Sequence, residues 1–207
     1  MAHRNTAAGH TALLQAAREE FAECGYAGAS IRGIARRADL SMSVLYHYYA
    51  SKQQLLEAII LETIDTYFGF CEAELSTAGD DPIERLSAAV AGTIRFRVSS
   101  PARADLVERE RHNLSPDFLE VYGKRFEDMT NLFRDPIQAG IAAGTFRPAY
   151  PDEARRAIIA MCDAVGDWYR PSGTLTLDEI VARHIELALT LLRHQSEPTQ
   201  HEIAGSS

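Results

Sequence analysis

Cysteine is scarce in this 207-residue chain: Cys24, Cys71 and Cys162 stand far apart, with no C-x-x-C pair. That spacing argues against a zinc module or a disulfide framework and predicts reduced thiols in or near a core. No apolar run approaches the roughly 20 residues that cross a bilayer, and the N-terminus lacks a signal-like apolar stretch. A soluble, cytoplasmic protein with no membrane partner is expected. There is no Gly-rich phosphate loop, no G-x-S-x-G and no triad pattern. The seven histidines are scattered, with no His-x-x-x-His or Glu-x-x-His pair on a core face. Catalytic residues, metal ligands and a cofactor are therefore not expected. Glu108-Arg109-Glu110-Arg111-His112 could hold an acid/base pair or metal ligands, but it is expected to be a solvated charged face. Strand patterns are missing too.

What remains has ordinary globular usage, 46% apolar and 24% charged, on a chain long enough for one large domain or two small ones. A net charge of −8 looks wrong for a nucleic-acid binder until it is divided along the chain. Residues 1–52 carry six basic groups (Arg4, Arg18, Arg32, Arg36, Arg37, Lys52) and four acidic ones (Glu19, Glu20, Glu23, Asp39), a balance of +2. The remainder carries 15 basic and 25 acidic groups, a balance of −10. Phosphate attraction is screened over about 8–10 Å, so the N-terminal field can act separately.

The chain is organised around Ser30 to Lys52. Ser30 can cap a short helix whose Ile31, Ile34, Ala35 and Ala38 share one apolar face. Asp39-Leu40-Ser41 breaks the periodicity, and Ser41 can cap a second helix, Met42 to Tyr48. Val44, Leu45 and Tyr48 or Tyr49 are its expected inward residues, leaving Met42, Ser43, Tyr46 and His47 at or near the outer face. Periodicity alone fits either a surface helical hairpin or a DNA-reading helix-turn-helix. Upstream, Thr11 to Cys24 reads as a supporting helix with Leu13 or Leu14, Ala17 and Phe21 inward and Gly25 at its cap. Residues 1–9 are expected to be a mobile tail.

Downstream, Ser51 can cap a long helix from Lys52 to Leu75. Further helices are expected over Ile83–Val98, Ala102–Arg111, a segment from Pro116 that Pro136 should kink or interrupt and Gly144 should end, about Asp152–Tyr169, and Leu177–Arg193. Thr176 with Glu179 forms a capping box for the last. The expected fold is all-α with about nine helices: residues 1–52 a three-helix helix-turn-helix domain, 53–195 a helical ligand-binding and dimerisation domain, 196–207 a disordered tail. The last two helices carry Ile158, Ile159, Met161, Val165, Ile180, Ile185, Leu187, Leu189, Leu191 and Leu192. These complete the monomer core or pair across a two-fold axis into a four-helix interface.

Taken together, Phe21, Gly25-Tyr26, Ala29-Ser30-Ile31, Ile34-Ala35, Ala38, Leu40-Ser41, Leu45-Tyr46, Tyr49, Ser51-Lys52 and Leu55 resemble, in order and spacing, the N-terminal domain of the tetracycline-repressor (TetR) family of bacterial transcription regulators. Ser43, where that family often has Gly, and Tyr49, where Phe is usual, depart from the pattern. The resemblance implies that Ser30, Arg32, Ser41, Met42, Ser43, Tyr46, His47 and Lys52 contact double-stranded operator DNA. Tyr46 and Lys52 would hold phosphates; Ser43 and His47 would read bases. It also implies a homodimer through the last two helices and an effector cavity in the second domain. Aromatic and sulfur-bearing residues there (Phe70, Phe96, Phe118, Tyr122, Phe126, Met129, Phe133, Met161, Trp168) read by themselves as plain core or as pocket.

A second resemblance covers Asp167-Trp168-Tyr169-Arg170-Pro171-x-Gly173, Leu175-Thr176-x-Asp178-Glu179-Ile180 and Gly140-Ile141-x-x-Gly144-x-Phe146-Arg147. These look like TetR-type regulators of fatty-acid and steroid catabolism, which implies an acyl-CoA effector. Trp168 would then form an apolar wall and Arg170 a charged partner, unless Arg170 only caps its helix. Arg95, Arg97, Arg103, Arg109, Arg111 and Arg125 are further cations for CoA phosphates. The expected function is a repressor released by a small apolar effector. Sensing of a hydrophobic drug or aromatic metabolite is the alternative, and a helical enzyme or adaptor without DNA activity stands behind both.

Overall fold

The computed structural model describes residues 2–193. Among these there are nine α-helices, one 3-10 turn (Arg111–Asn113) and no strand. The helices are α1 (Ala2–Gly28), α2 (Ile31–Arg37), α3 (Met42–Tyr48), α4 (Lys52–Leu75), α5 (Pro82–Ser99), α6 (Pro101–Glu110), α7 (Pro116–Ala142), α8 (Pro151–Trp168) and α9 (Leu177–Arg193). The predicted bounds of α3 and α4 are met to the residue and α9 begins at the predicted Leu177, because each opens on a capping residue. The disordered tail expected over 196–207 lies outside the described residues.

One expectation fails at the N-terminus, and the interruption expected at Pro136 is absent. α1 starts at Ala2 instead of following a tail through residue 9. Ala2, Ala7 and Ala8 favour helix, and His10 Nε2 is 2.8 Å from the Tyr49 hydroxyl, anchoring this end. α7 runs through Pro136 without interruption. Proline there removes one backbone donor, and its ring is buried next to Phe133 and Ile137.

The chain divides into two compact units. Unit 1 takes the residues up to Phe70 together with Phe96–Met129. Its core joins Leu13, Ala17 and Phe21 of α1, Ile34 and Ala35 of α2, and Leu45 of α3 to Leu55, Leu56, Ile59 and Ile60 of α4 and Leu106 of α6. Each fully buried Leu, Ile or Phe contributes about 1.5–3 kcal/mol. Both Leu13 and Leu14 are buried, so the choice between them dissolves. The first half of α4 packs with the reading helices.

Unit 2 takes Cys71–Arg95 and the residues from Thr130 onward. Leu86, Val90 and Ile94 of α5, Phe133 and Ile137 of α7, Ile158, Cys162 and Val165 of α8 and Ile180, Ala188 and Leu192 of α9 are buried. Close approach replaces side-chain bulk at Gly92, where an added Cβ would lie 2.6 Å from the Cys71 Cα. Burial pushes the Cys162 thiol well above its ordinary range. Cys24, by contrast, is exposed, against expectation. No helix among the described residues is long and apolar enough to cross a membrane.

Candidate DNA-reading face and effector residues

The reading pair is built by two serine caps. Ser30 Oγ accepts from the Gly33 N–H at 2.9 Å and opens α2; Ser41 Oγ accepts from the Val44 N–H at 3.3 Å and opens α3. Asp39 takes a left-handed conformation (φ 53) between them, which a short polar side chain tolerates. Leu45 is fully buried and sets the rotation of α3. Ser41, Ser43, Tyr46 and His47 are exposed, whereas Met42 is half-buried against the core. Val44, expected inward, is 40% exposed. At about 100° per residue it lies a quarter-turn or more from Leu45, a signal the sequence carried.

Three cations of residues 1–52, Arg18, Arg37 and Lys52, are engaged within the protein. Arg18 pairs with Glu62. Arg37 meets Glu19, Glu20 and Glu23 at 3.5, 3.3 and 2.6 Å, and its hydrogen bond holds the Glu23 carboxyl below its ordinary range. Lys52 Nζ donates to the Tyr26 and Ala29 carbonyls at 2.6 and 3.0 Å and lies 4.4 Å from the Tyr26 ring centre. It clamps the α1–α2 turn onto α4, with one N–H left over. Arg32 and Arg36 are exposed and have no charged partner among the described residues. Arg36 was not among the expected contacts.

A polar network joins this region to α6 and the 3-10 turn within unit 1. Glu110 Oε1 accepts from the Tyr26 N–H at 3.2 Å, and its Oε2 accepts from Asn113 Nδ2 at 2.9 Å. The Tyr26 hydroxyl donates to Gln53 Oε1 at 2.7 Å, and Gln53 donates to the Asn113 carbonyl and to Glu57. Glu57 in turn accepts from the Ser115 hydroxyl at 2.6 Å. Burial raises the Tyr26 hydroxyl pKa. Glu110 is itself 6% exposed, so the solvated face expected over 108–112 is wrong at its third residue. Glu108, Arg109, Arg111 and His112 are exposed as expected.

The ten expected effector residues are divided between the two units. In unit 1, buried Phe96 meets Tyr67 and Phe70 edge-on at 5.4 and 6.2 Å. Phe118, Tyr122 and Met129 pack on the unit 1 core, while Phe126 is 55% exposed and stacks on Tyr122. In unit 2, Phe133 is buried, Met161 half-buried, and Trp168 50% exposed and stacked on His184. Arg170 donates to the Asp167 and Tyr169 carbonyls, which is the capping role. Arg125 is held by Asp65 and lies over Phe68. Arg95 is held by Glu74 and Asp178. A cleft of about 530 Å³ in unit 1 opens among α1, α4 and the α5–α6 corner, and of the ten only Phe70 reaches it.

The α8–α9 pair presents the largest exposed aliphatic groups of unit 2: Leu187 is 53% and Leu191 41% exposed. Ile159, Met161, Ile185 and Leu189 are half-buried. The Thr176–Glu179 capping box is present: Thr176 N–H and hydroxyl donate to Glu179 at 2.8 and 2.9 Å and lower its carboxyl pKa.

Comparison with known proteins agrees with this layout. A family profile described as "Bacterial regulatory proteins, tetR family" matches residues 13–59, and one described as "Tetracyclin repressor-like, C-terminal domain" matches 79–192. The HTH-type transcriptional repressor KstR2 of Mycolicibacterium smegmatis is 29% identical over 182 residues, covering 86% of this chain and 87% of that protein. Among solved structures, the ketosteroid transcriptional regulator KstR2 of Mycobacterium tuberculosis is 25% identical with a TM-score of 0.73, covering 88% of this chain and 94% of that one. AibR, solved with isovaleryl coenzyme A and operator DNA, has the same fold at 22% identity and a TM-score of 0.75, covering 86% and 97%.

Proposed function

Because the chain belongs to the tetR family of bacterial regulatory proteins, we propose that it is a homodimeric repressor released from its operator by an acyl-CoA thioester of fatty-acid or steroid catabolism. Residues 1–52 form the DNA-binding part and 53–195 the part that binds effector and dimerises. The observation that carries the DNA reading is the exposure of Ser43, Val44, Tyr46 and His47 on α3 together with that of Arg32 and Arg36 on the preceding helix α2. Hydroxyl and imidazole can bond base edges, and Val44 can meet a thymine methyl group. Arg32, Tyr46 and the spare Lys52 N–H hold phosphates, with Ser30, Ser41 and Met42 at the helix starts. One seven-residue helix reads too few base pairs alone, so a second copy through α8 and α9 supplies the other half-site.

Support for the effector comes from the named relatives: a KstR2 repressor, and AibR with its coenzyme A thioester. α4 carries the signal, since it bears Lys52 at the reading end and Phe70 further along. A coupling of about 1–3 kcal/mol weakens operator binding about 5- to 150-fold. Gel-shift titration with the DNA upstream of the encoding locus tests this. Long-chain or steroid-derived acyl-CoA should release the complex; free CoA and the free acid should do much less. A specific observation favours the rival effector: Arg95, Arg125 and Arg170, three of the cations expected for CoA phosphates, are already engaged. Intact complexes across an acyl-CoA panel would transfer the role to an uncharged drug or aromatic metabolite. In the same assay His47→Ala should relax preference at one operator position by about 1–3 kcal/mol. Arg32→Ala should weaken all sequences alike and lower the salt slope by about one.

A further inference from the structure

The matched family profile begins at residue 13, yet α1 begins at Ala2. The part of α1 ahead of that profile reaches the C-terminal end of α3. His10 Nε2 and the Tyr49 hydroxyl are 2.8 Å apart, and the two rings stack with their centroids 5.8 Å apart. The His10 ring also lies 5.4 Å from that of Tyr48, and a Cβ added at Gly9 would lie 3.6 Å from the Tyr48 hydroxyl. Tyr48 is the last residue of α3 and Tyr49 its C-cap. Tyr48 in turn meets the His47 ring edge-on at 5.8 Å. The hydroxyl that His10 meets is also what separates Tyr49 from the Phe usual in the family. Burial, with Glu62 nearby, raises the Tyr49 pKa, so the group stays a neutral hydroxyl able to donate or accept.

At seven residues α3 is too short to hold its own geometry in water. Ser41 caps its start, and Leu45 sets its rotation. Met42, Tyr48 and Tyr49 rest on the core through apolar contact, which fixes distance more than direction. A hydrogen bond adds the direction. We propose that His10 is a positioning residue for DNA reading: through Tyr49 it fixes the tilt of the last turn of α3, and with it the place from which His47 reaches the groove. This rests on the reading by α3 proposed above and adds to it a residue outside the matched profile.

Gel shifts with the full-length protein test the assignment, using a duplex that the parent chain selects from a random pool and a scrambled duplex as control. His10→Phe and Tyr49→Phe each remove the hydrogen bond but keep a ring, and each should weaken binding of the selected duplex about fivefold. The double variant should bind no more weakly than either single one, because both changes remove the same bond. His10→Gln, whose amide can meet the same hydroxyl, should retain most of the affinity. All variants should bind scrambled DNA equally. Urea unfolding of the same set measures what the bond does for stability alone. The proposal is overturned if the single losses add in the double variant, if scrambled DNA weakens in parallel, or if His10→Gln loses as much as His10→Phe. A coupling present in urea unfolding but absent from selected-duplex affinity also overturns it, since the bond is then only structural. A parent chain that selects no duplex overturns the reading by α3 and this proposal together; a parent that selects a duplex, with variants that bind it equally well, overturns this proposal alone.

Discussion

The two compact units are held together by different means. Unit 1 combines its apolar core with long-range directional contacts: Lys52 to two carbonyls, Glu110 to the Tyr26 N–H, Gln53 and Glu57 to the segment that opens α7, and Arg18 to Glu62. Unit 2 relies more on close apposition, with Gly92 against the Cys71 backbone and Gly140 against the Phe146 ring; beside the long-range pairs of Arg95 with Glu74 and Asp178, its ion pairs Arg155–Asp152 and Arg156–Glu153 are local. Hydrogen bonds fix angles as well as distances, and a reading pair that must match a groove needs both. Apolar contact fixes only distance and shape, which suffices for a core and for a face that awaits a second copy.

Breaking the apposition in unit 2 should have the largest effect. Gly92→Val puts a branched side chain where even a Cβ lies 2.6 Å from backbone, so the helices must separate at a cost of about 3 kcal/mol or more. Gly123→Ala in unit 1 is the opposite case, with nothing within 4 Å, and should stabilise by about 0.5–1 kcal/mol. Urea denaturation of both variants reads the contrast directly.

Next in size is the α8–α9 face. Leu187→Glu with Leu191→Glu should weaken the proposed dimer by at least about 2 kcal/mol while leaving monomer helicity unchanged. Sedimentation measures the first, circular dichroism the second. A monodisperse dimer at low micromolar concentration would remove these helices from the interface.

Within unit 1, Glu110→Ala strands the Tyr26 N–H and should cost about 1–2 kcal/mol. Glu110→Gln keeps an acceptor and should cost less. If the network sets the reading geometry, the Ala variant also loses operator affinity beyond what its melting curve explains.

The smallest effect is on pH. Thr176 holds the Glu179 carboxyl below its ordinary value of 4.5, so this cap stabilises α9 fully above that value. Its contribution disappears as the pH falls through the lower folded value. Acid melts of Glu179→Gln should lack that part of the pH dependence and otherwise overlay the parent chain.

The starts of α2, α3, α4 and α9 and the caps that set them were determined by the sequence itself. Ser30, Ser41 and Thr176 act on backbone groups three residues away, and Leu45 follows from local periodicity, so no distant partner had to be known. Even the misplacement of Val44 was a misreading of a local angle. Tertiary structure alone decided which charges are free. Arg32, Arg37 and Lys52 look equivalent in the sequence, yet Arg37 is consumed by three glutamates and Lys52 by two carbonyls. Glu110 sits within a charged run that reads as solvated, and its burial depends on a peptide N–H that is 84 residues away in the chain. The same holds for Phe118, Tyr122, Phe126, Met129 and Phe133, which share helical spacing on α7 but fall in different units. A short-range rule sees one helix face; whether that face meets solvent, a carboxylate or a cleft depends on chain brought in from far along the sequence.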